Sequence, residues 1–362
     1  MMVCFSESCI GWGATAWAQD PGTQGSGTQV IDGTIITLGG GAQLLSLPDM
    51  KFSFVTGDNG NTTHKQTNSN LDDYGGAFVG SVETPFGYWG GTPVAGVVSG
   101  FFANVEGDDT KRCVNSGGGC FVENLVDNPD KLDSVGYERF KTKTSRDVDY
   151  WGVGAEARFG KGPAPVPDAG GYLFRLGYVG IGTDVRGIDQ DNRLRLRGDG
   201  PAVNYGETLD TTYWGGFLSI GGEYNVLGYL GMGGSWGLRS LVSLRAGVYD
   251  ANTDYSGRFN TDGATTSRLG LSDDKVAFIG AARFETRKQF GPRTSLSLVT
   301  DYEYYSSAPE MRYVDTDTIP GHTYQGKVNK TGIGGGGALE VRTTLRLNIA
   351  LGPAPLYTEP LK

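Results

Sequence analysis

Residues Ala338–Gly352 read ALEVRTTLRLNIALG. Leu339, Val341, Leu345, Leu347, Ile349 and Leu351 hold odd positions, with Thr343 the one polar break. Glu340, Arg342, Thr344, Arg346 and Asn348 hold even ones. Successive side chains of a strand point to opposite faces, so the stretch predicts one apolar face and one charged face. Two kinds of sheet use such a strand. A soluble sheet packs the apolar face on a core and wets the other. A membrane barrel turns the apolar face to lipid and keeps a polar interior.

The same period recurs upstream. Apolar residues alternate with polar or small ones in seven further stretches, 77–86, 151–159, 172–185, 214–226, 238–248, 276–287 and 295–304, and an eighth, 94–106, is apolar on both parities and carries glycine. Beyond Gly180 the parity slips, which predicts a bulge. No convincing 3.6-residue period is found after Gln19. The connections alternate in length. Short ones fall at Gly87–Thr92, Lys161–Gly170, Leu227–Ser235 and Phe290–Arg293. Long polar ones fall at about Gly57–Asp73, Gly107–Asp147, Gly187–Asp210, Asp250–Asp274 and Ser306–Gly334. Turns at one end and loops at the other are the build of a membrane barrel, and a sandwich has no reason to sort its links this way.

A first strand within Gly33–Thr56 brings the count to ten, or twelve if two more lie hidden in that stretch or in a long loop. Tyr150-Trp151, Tyr213-Trp214, Tyr302, Tyr304 and Tyr305 at the loop end, and Tyr88-Trp89 and Trp236 at the turn end, read as aromatic borders of a membrane.

These features resemble Gram-negative outer-membrane β-barrel proteins over about Gly33 to Gly352, by pattern and not by a motif. The expected fold is all-β, a single up-and-down antiparallel transmembrane barrel. One departure stands out: many such barrels end on an aromatic residue, whereas here Leu351 is followed by PAPLYTEPLK.

Composition agrees. The chain has 60 glycines in 362 residues, a share far above the usual ~7 %, without a collagen period. A net charge of −9 argues against a nucleic-acid partner. No run approaches the ~20 apolar residues of a transmembrane helix. Ala16-Trp17-Ala18 before Gln19 matches a signal-peptidase site, although the segment before it lacks Lys and Arg. The expected organisation is therefore an incomplete signal peptide over 1–18, a flexible segment over 19–32, the barrel over 33–352 and a periplasmic tail over 353–362. The expected location is the outer membrane.

Positions on the polar parity predict the lumen lining. Glu83, Glu156, Arg158, Arg175, Glu223, Arg239, Arg245, Arg283, Glu285, Arg287, Asp301, Glu303, Glu340, Arg342 and Arg346 all fall there. Any of them facing lipid at the midplane would cost ~2–4 kcal/mol. Eight positive and seven negative groups either set the selectivity of a narrow channel or pair to fill a small barrel. The expected function is porin-like passage of small hydrophilic solutes. The alternative is a non-conducting structural or surface-binding barrel acting through its loops, and a hydrolase ranks below both. The expected partners are outer-membrane lipid, lipopolysaccharide and small hydrophilic solutes.

Cys113 and Cys120, in KRCVNSGGGCF, suit a loop disulfide of an oxidising compartment better than a zinc site. No catalytic residue, metal or cofactor is expected. His64 and His322 fall in long loops, with Asp72, Asp73, Asp315 and Asp317 nearby. The close Asp-x-His spacing of ten-stranded outer-membrane proteases is absent. RLRLRGDG (Arg193–Gly200) reads as a basic turn rather than an adhesion tripeptide. Asp184, Asp189 and Asp191 lack the EF-hand calcium pattern. GGGAQ and GIGGGG precede no helix, so they are read as packing and curvature glycines.

Overall fold

The computed structural model describes residues 33–58, 61–69, 71, 73–114, 120–123, 134–160, 174–224, 238–291, 293–312 and 332–352. The expected leader, N-terminal segment and C-terminal tail lie outside these residues, as do His322, Asp315, Asp317 and Trp236.

Ten antiparallel strands close into a barrel. In chain order they are β1 (Thr34–Ser46), β4 (Asp73–Trp89), β5 (Thr92–Val114), β8 (Arg139–Phe159), β9 (Phe174–Gly198), β10 (Val203–Tyr224), β11 (Leu238–Thr261), β12 (Ala264–Gln289), β13 (Thr294–Arg312) and β14 (Gly332–Leu351). Each pairs with its chain neighbour in the ring, and β1 closes on β14 with Leu38 opposite Leu347. The register of β10 against β9 shifts at Gly221/Gly222, skipping Gly177 of β9, so the bulge lies before Gly180 and not beyond it as the parity slip predicts. A second sheet, ordered β3-β2-β6-β7, is built from β2 (Met50–Asp58), β3 (Asn61–Ser69), β6 (Cys120–Glu123) and β7 (Ser134–Tyr137). It draws its strands from the two connections β1–β4 and β5–β8, so MKFSF and His64 belong to this sheet and not to the ring.

Two of the expected long loops are strands. β9 runs to Gly198 and β10 resumes at Val203, while β11 and β12 meet across Asp262-Gly263 alone. Asp262 and Gly263 both take positive φ, 50° and 82°, as a two-residue hairpin requires. The Asp262 amide donates to the Ala202 carbonyl at 2.9 Å, which ties the two hairpin tips together. Asp199 accepts from the backbone amides of Glu138 and Arg139, at 3.2 and 3.4 Å. The Tyr137 hydroxyl donates to the Pro201 carbonyl at 2.5 Å. Burial, then the carboxylates of Asp262 and Asp199, push that phenol up to about 12. RLRLRG is thus the end of a strand, with Leu194 and Leu196 buried and Arg193, Arg195 and Arg197 exposed.

These extensions read as loops because their polarity inverts. Near the turn end, apolar side chains face out, and Leu218, Val248, Ile181 and Leu345 are exposed. Toward the loop end, Ile188, Leu194, Val203, Tyr205 and Phe259 face in and are buried, while Arg193, Arg195, Arg197 and Asn204 face out. The period of two is unbroken, but its sense reverses. The turn-end portion is built for lipid, since so continuous an exposed apolar band is unstable in water. The loop-end portion is built as a soluble sheet around a core.

A filled lumen as the candidate functional site

The inward residues form layers. Nearest the turn end they line a polar cavity of about 170 Å³. There the Arg158 guanidinium bridges Glu83 at 3.1 Å and Glu156 at 2.9 Å. Arg287 pairs with Glu285 at 2.7 Å, and Ser297 donates to the same carboxylate at 2.7 Å. Arg239 lies 3.9 Å from Glu223, and Arg175 stands opposite Glu223 in the register.

Above the cavity, arginines and carboxylates cross the lumen. Arg186 pairs with Asp184 at 2.9 Å and with Glu303, and donates to the Tyr305 hydroxyl at 2.8 Å. Arg245 reaches the same two carboxylates, Asp184 at 3.1 Å and Glu303 at 2.9 Å. Tyr150 donates to Glu303 at 3.0 Å. Asp301 takes Arg283 and Arg346 at 2.5 Å each, with Arg342 at 3.7 Å. Arg342 also lies 3.4 Å from the fully buried Glu340 and stacks 4.1 Å above the Phe101 ring. Most of these charges meet an opposite one at hydrogen-bonding range, which is the condition for holding ions away from water, whereas Glu340 and Arg342 face each other without a hydrogen bond.

An apolar layer follows, of Leu45, Val105, Val148, Ile188, Tyr213, Tyr249, Ile279 and their neighbours. Over it sits the buried pair Arg146–Asp73, at 3.2 Å. Arg146 also donates to the Pro48 carbonyl at 2.8 Å and to Asn192 at 3.0 Å, drawing the β1–β2 link onto the mouth. Two further cores finish the extension: Tyr137, Phe140, Leu194, Leu196, Val203, Tyr205 and Phe259, then Leu209, Tyr255 and Met311. A buried side chain of this size stabilises by ~1.5–3 kcal/mol, so these layers are a packed core.

The fifteen charges expected on the lumen side all lie on inward positions of their strands. Arg186, Asp184, Arg146 and Asp73 were missed as lumen residues. The first two sit at the edge of the loop expected from Gly187, and Asp184 also belongs to the aspartate set that lacks the EF-hand pattern. Here Asp184 faces in while Asp189 and Asp191 face out, so the three do not converge. The aromatic borders need a correction as well. Trp151, Trp214, Tyr302 and Tyr304 face out, but Tyr150, Tyr213 and Tyr305 are buried inside. Adjacent residues of a strand face opposite sides, so only one of each pair can lie at a lipid border. Cys113, at the loop end of β5, is disulfide-bonded; Cys120 opens β6, and its side chain lies outside the described residues.

No protein-family profile matches the chain, and no curated sequence does. Among solved structures it is similar to the outer membrane protease OmpT of Escherichia coli, at 9 % identity over 89 % of this chain and 97 % of that one, with a TM-score of 0.36. A Pseudomonas aeruginosa FadL homologue matches at 8 % identity over 88 % and 90 % of the two chains, with a TM-score of 0.23. An anion-selective porin from Comamonas acidovorans matches at 9 % over 86 % and 100 %, with a TM-score of 0.11. These likenesses concern architecture alone.

Proposed function

We propose that this chain is an outer-membrane barrel that does not conduct, and that it acts as an anchored scaffold presenting its long strand extensions and second sheet at the cell surface. The observation that carries this is the succession of layers across the lumen. A solute entering from the turn end would meet the Arg186–Asp184–Glu303–Arg245 network and then an apolar core. The network is tied across the lumen by ion pairs, and the apolar core offers no continuous polar path among the described residues, of the kind a porin lumen requires. Opening one would mean breaking buried ion pairs and parting packed side chains together. The loop end then faces the outside of the cell, and no residue is given a catalytic, cofactor-binding or metal-binding role.

Planar-bilayer recording of the purified chain tests it. Silence at several voltages is the expected result. A stable, repeatable conductance step would overturn the proposal and restore passage of small hydrophilic solutes. The 170 Å³ cavity at the turn end would then be its vestibule.

A further inference from the structure

The barrel wall parts between β12 and β13 at the loop end. Their ladder runs from Gln289–Ser295 to Ile279–Tyr305 and stops there. Past a register shift between Tyr305 and Ala308, β13 pairs with β14 alone and buries Met311 with Leu209 and Tyr255. β12 runs on to Ala264 with β11 as its one ladder partner among the described residues. Two bonds close the foot of the gap. The Phe278 amide donates to Ser306 Oγ at 2.8 Å, and Lys275 Nζ donates to the Ile333 carbonyl at 2.6 Å. The Phe278 bond also fixes the sense of the edge. Amides and carbonyls of alternate residues point the same way along a strand, so those of Asp274, Ser272, Gly270 and Arg268 point into the gap. The edge is held ready, since β11 backs it throughout and the hairpin tip is tied to Ala202.

We infer that Arg268–Asp274 of β12 takes up an extended segment of a partner polypeptide as an added strand, an inference that deepens the scaffold reading above and rests on it. A row of alternating backbone donors and acceptors pairs in register with another backbone. Side chains narrow the partner further. Toward the core, Leu269 and Leu271 are only partly buried against Leu209, Tyr255 and Met311, as is Ile333 of β14. Outward, Asp274, Ser272, Gly270 and Arg268 are exposed. The segment that fits therefore alternates apolar residues, set beside Leu269 and Leu271, with polar ones facing water. Natural sheets keep unwanted strands off their edges with charge or proline. The other edge of the extension does so, because β5 beyond Glu106 carries Asp108, Asp109, Lys111 and Arg112. On β12 the middle of the edge is Gly270-Leu271-Ser272, and the strand holds no proline. A second copy in the same membrane cannot supply the strand. A two-fold axis along the membrane normal crosses two strands, each tilted ~40°, at twice that angle, which no ladder spans.

The test uses the full chain in detergent and a synthetic peptide of alternating valine and threonine, with lysines at both ends for solubility. Fluorescence anisotropy of the labelled peptide is expected to show saturable binding. Isotope-labelled peptide carbonyls should shift to the infrared frequency of a β-ladder. The fully N-methylated peptide, which has no amide donors, is expected not to bind, and this arm needs no variant. Ser272→Pro removes one amide from the free edge and leaves the β11 ladder whole. It should weaken binding about tenfold or more, whereas Ser272→Ala should leave it unchanged. No binding of the alternating peptide, equal binding of its N-methylated form, or an unchanged affinity in Ser272→Pro would overturn the inference. So would a wild-type dimer in detergent that Ser272→Pro dissolves, which would assign the edge to a second copy. Conductance in planar bilayers would sink the scaffold reading and leave peptide binding unaltered, so the two failures are distinguishable.

Discussion

Ile181 and Ile188 stand seven residues apart on β9 and belong to opposite solvents. Ile181 points out of the barrel and is 55 % exposed, whereas Ile188 points in and is fully buried. Between them the strand passes from a lipid-facing wall to a core-forming one with no break in its hydrogen-bonded register. The two isoleucines should therefore respond in opposite ways to the same pair of changes. Ile188→Ala opens a cavity and is expected to cost about 2–5 kcal/mol. Ile181→Ala, facing lipid or detergent, should cost far less. Ile181→Arg should cost about 2–4 kcal/mol in a bilayer. Urea unfolding of the protein in vesicles measures all three, and equal losses for the two alanine variants would contradict the inversion.

Arg186 is the hinge of the interior network, because it binds Asp184, Glu303 and Tyr305 at once. Arg186→Ala leaves two carboxylates short of a cation and should destabilise by about 3–5 kcal/mol. R186M/E303Q removes charge of both signs, so its loss should be smaller than the sum of the losses of R186M and E303Q made singly. The gap between the two is the coupling energy of the pair. Neither variant is expected to conduct in planar bilayers, because the apolar layer of Ile188, Tyr213 and Tyr249 lies intact above the network.

The lipid-facing half of the barrel was legible because one rule governs it. A charge on the outer face is costly enough that parity alone sends Glu340, Arg342 and Arg346 inward. The loop-end half was illegible because a rule of the opposite sense governs it. Water tolerates Asp189, Asp191, Arg193 and Arg195 on the outside, so their density mimics a loop while Ile188, Leu194 and Leu196 keep the strand period. Weighing parity separately from polarity would have found these strands, since RLRLR alternates as strictly as LRLNI. The interior tyrosines were hidden for a related reason. Tyr150-Trp151 looks like a border pair until the two faces of a strand are kept apart. Which arginine meets which carboxylate depends on register and shear, and composition carries neither.

The barrel seam depends on close backbone approach. A Cβ placed on Gly41 of β1 would lie 2.0 Å from the Thr343 carbonyl oxygen and 2.7 Å from Thr344 Cα, both on β14. Backbone would have to move at the closure, so Gly41→Ala should destabilise by about 1–3 kcal/mol and slow assembly. Gly76 of β4 has nothing within 4 Å of the same added atom, and Gly76→Ala should be silent. Heat-modified gel mobility of the two variants, run side by side, separates a seam effect from a general cost of adding a methyl group.

Asp149, Asp189, Asp210 and Asp254 stand directly opposite one another across β8, β9, β10 and β11, and this row predicts how stability depends on pH. Burial, then Asp254, raises the Asp210 carboxyl above its ordinary value. Burial, then Asp210 and Asp149, raise Asp189 against a lowering hydrogen bond from Trp151. An acid whose folded pKa is raised binds more protons folded than unfolded. Its contribution to stability therefore falls as pH rises through that interval and is regained on acidification. Asp210→Asn removes one charge from the row and should stabilise the barrel at neutral pH by about 0.5 kcal/mol. The advantage should shrink as pH falls toward the ordinary aspartate range, where the wild-type carboxyl is itself neutral. Paired urea titrations of wild type and variant at neutral and acidic pH measure this, and an advantage that persisted unchanged into acid would mean the effect is not one of charge.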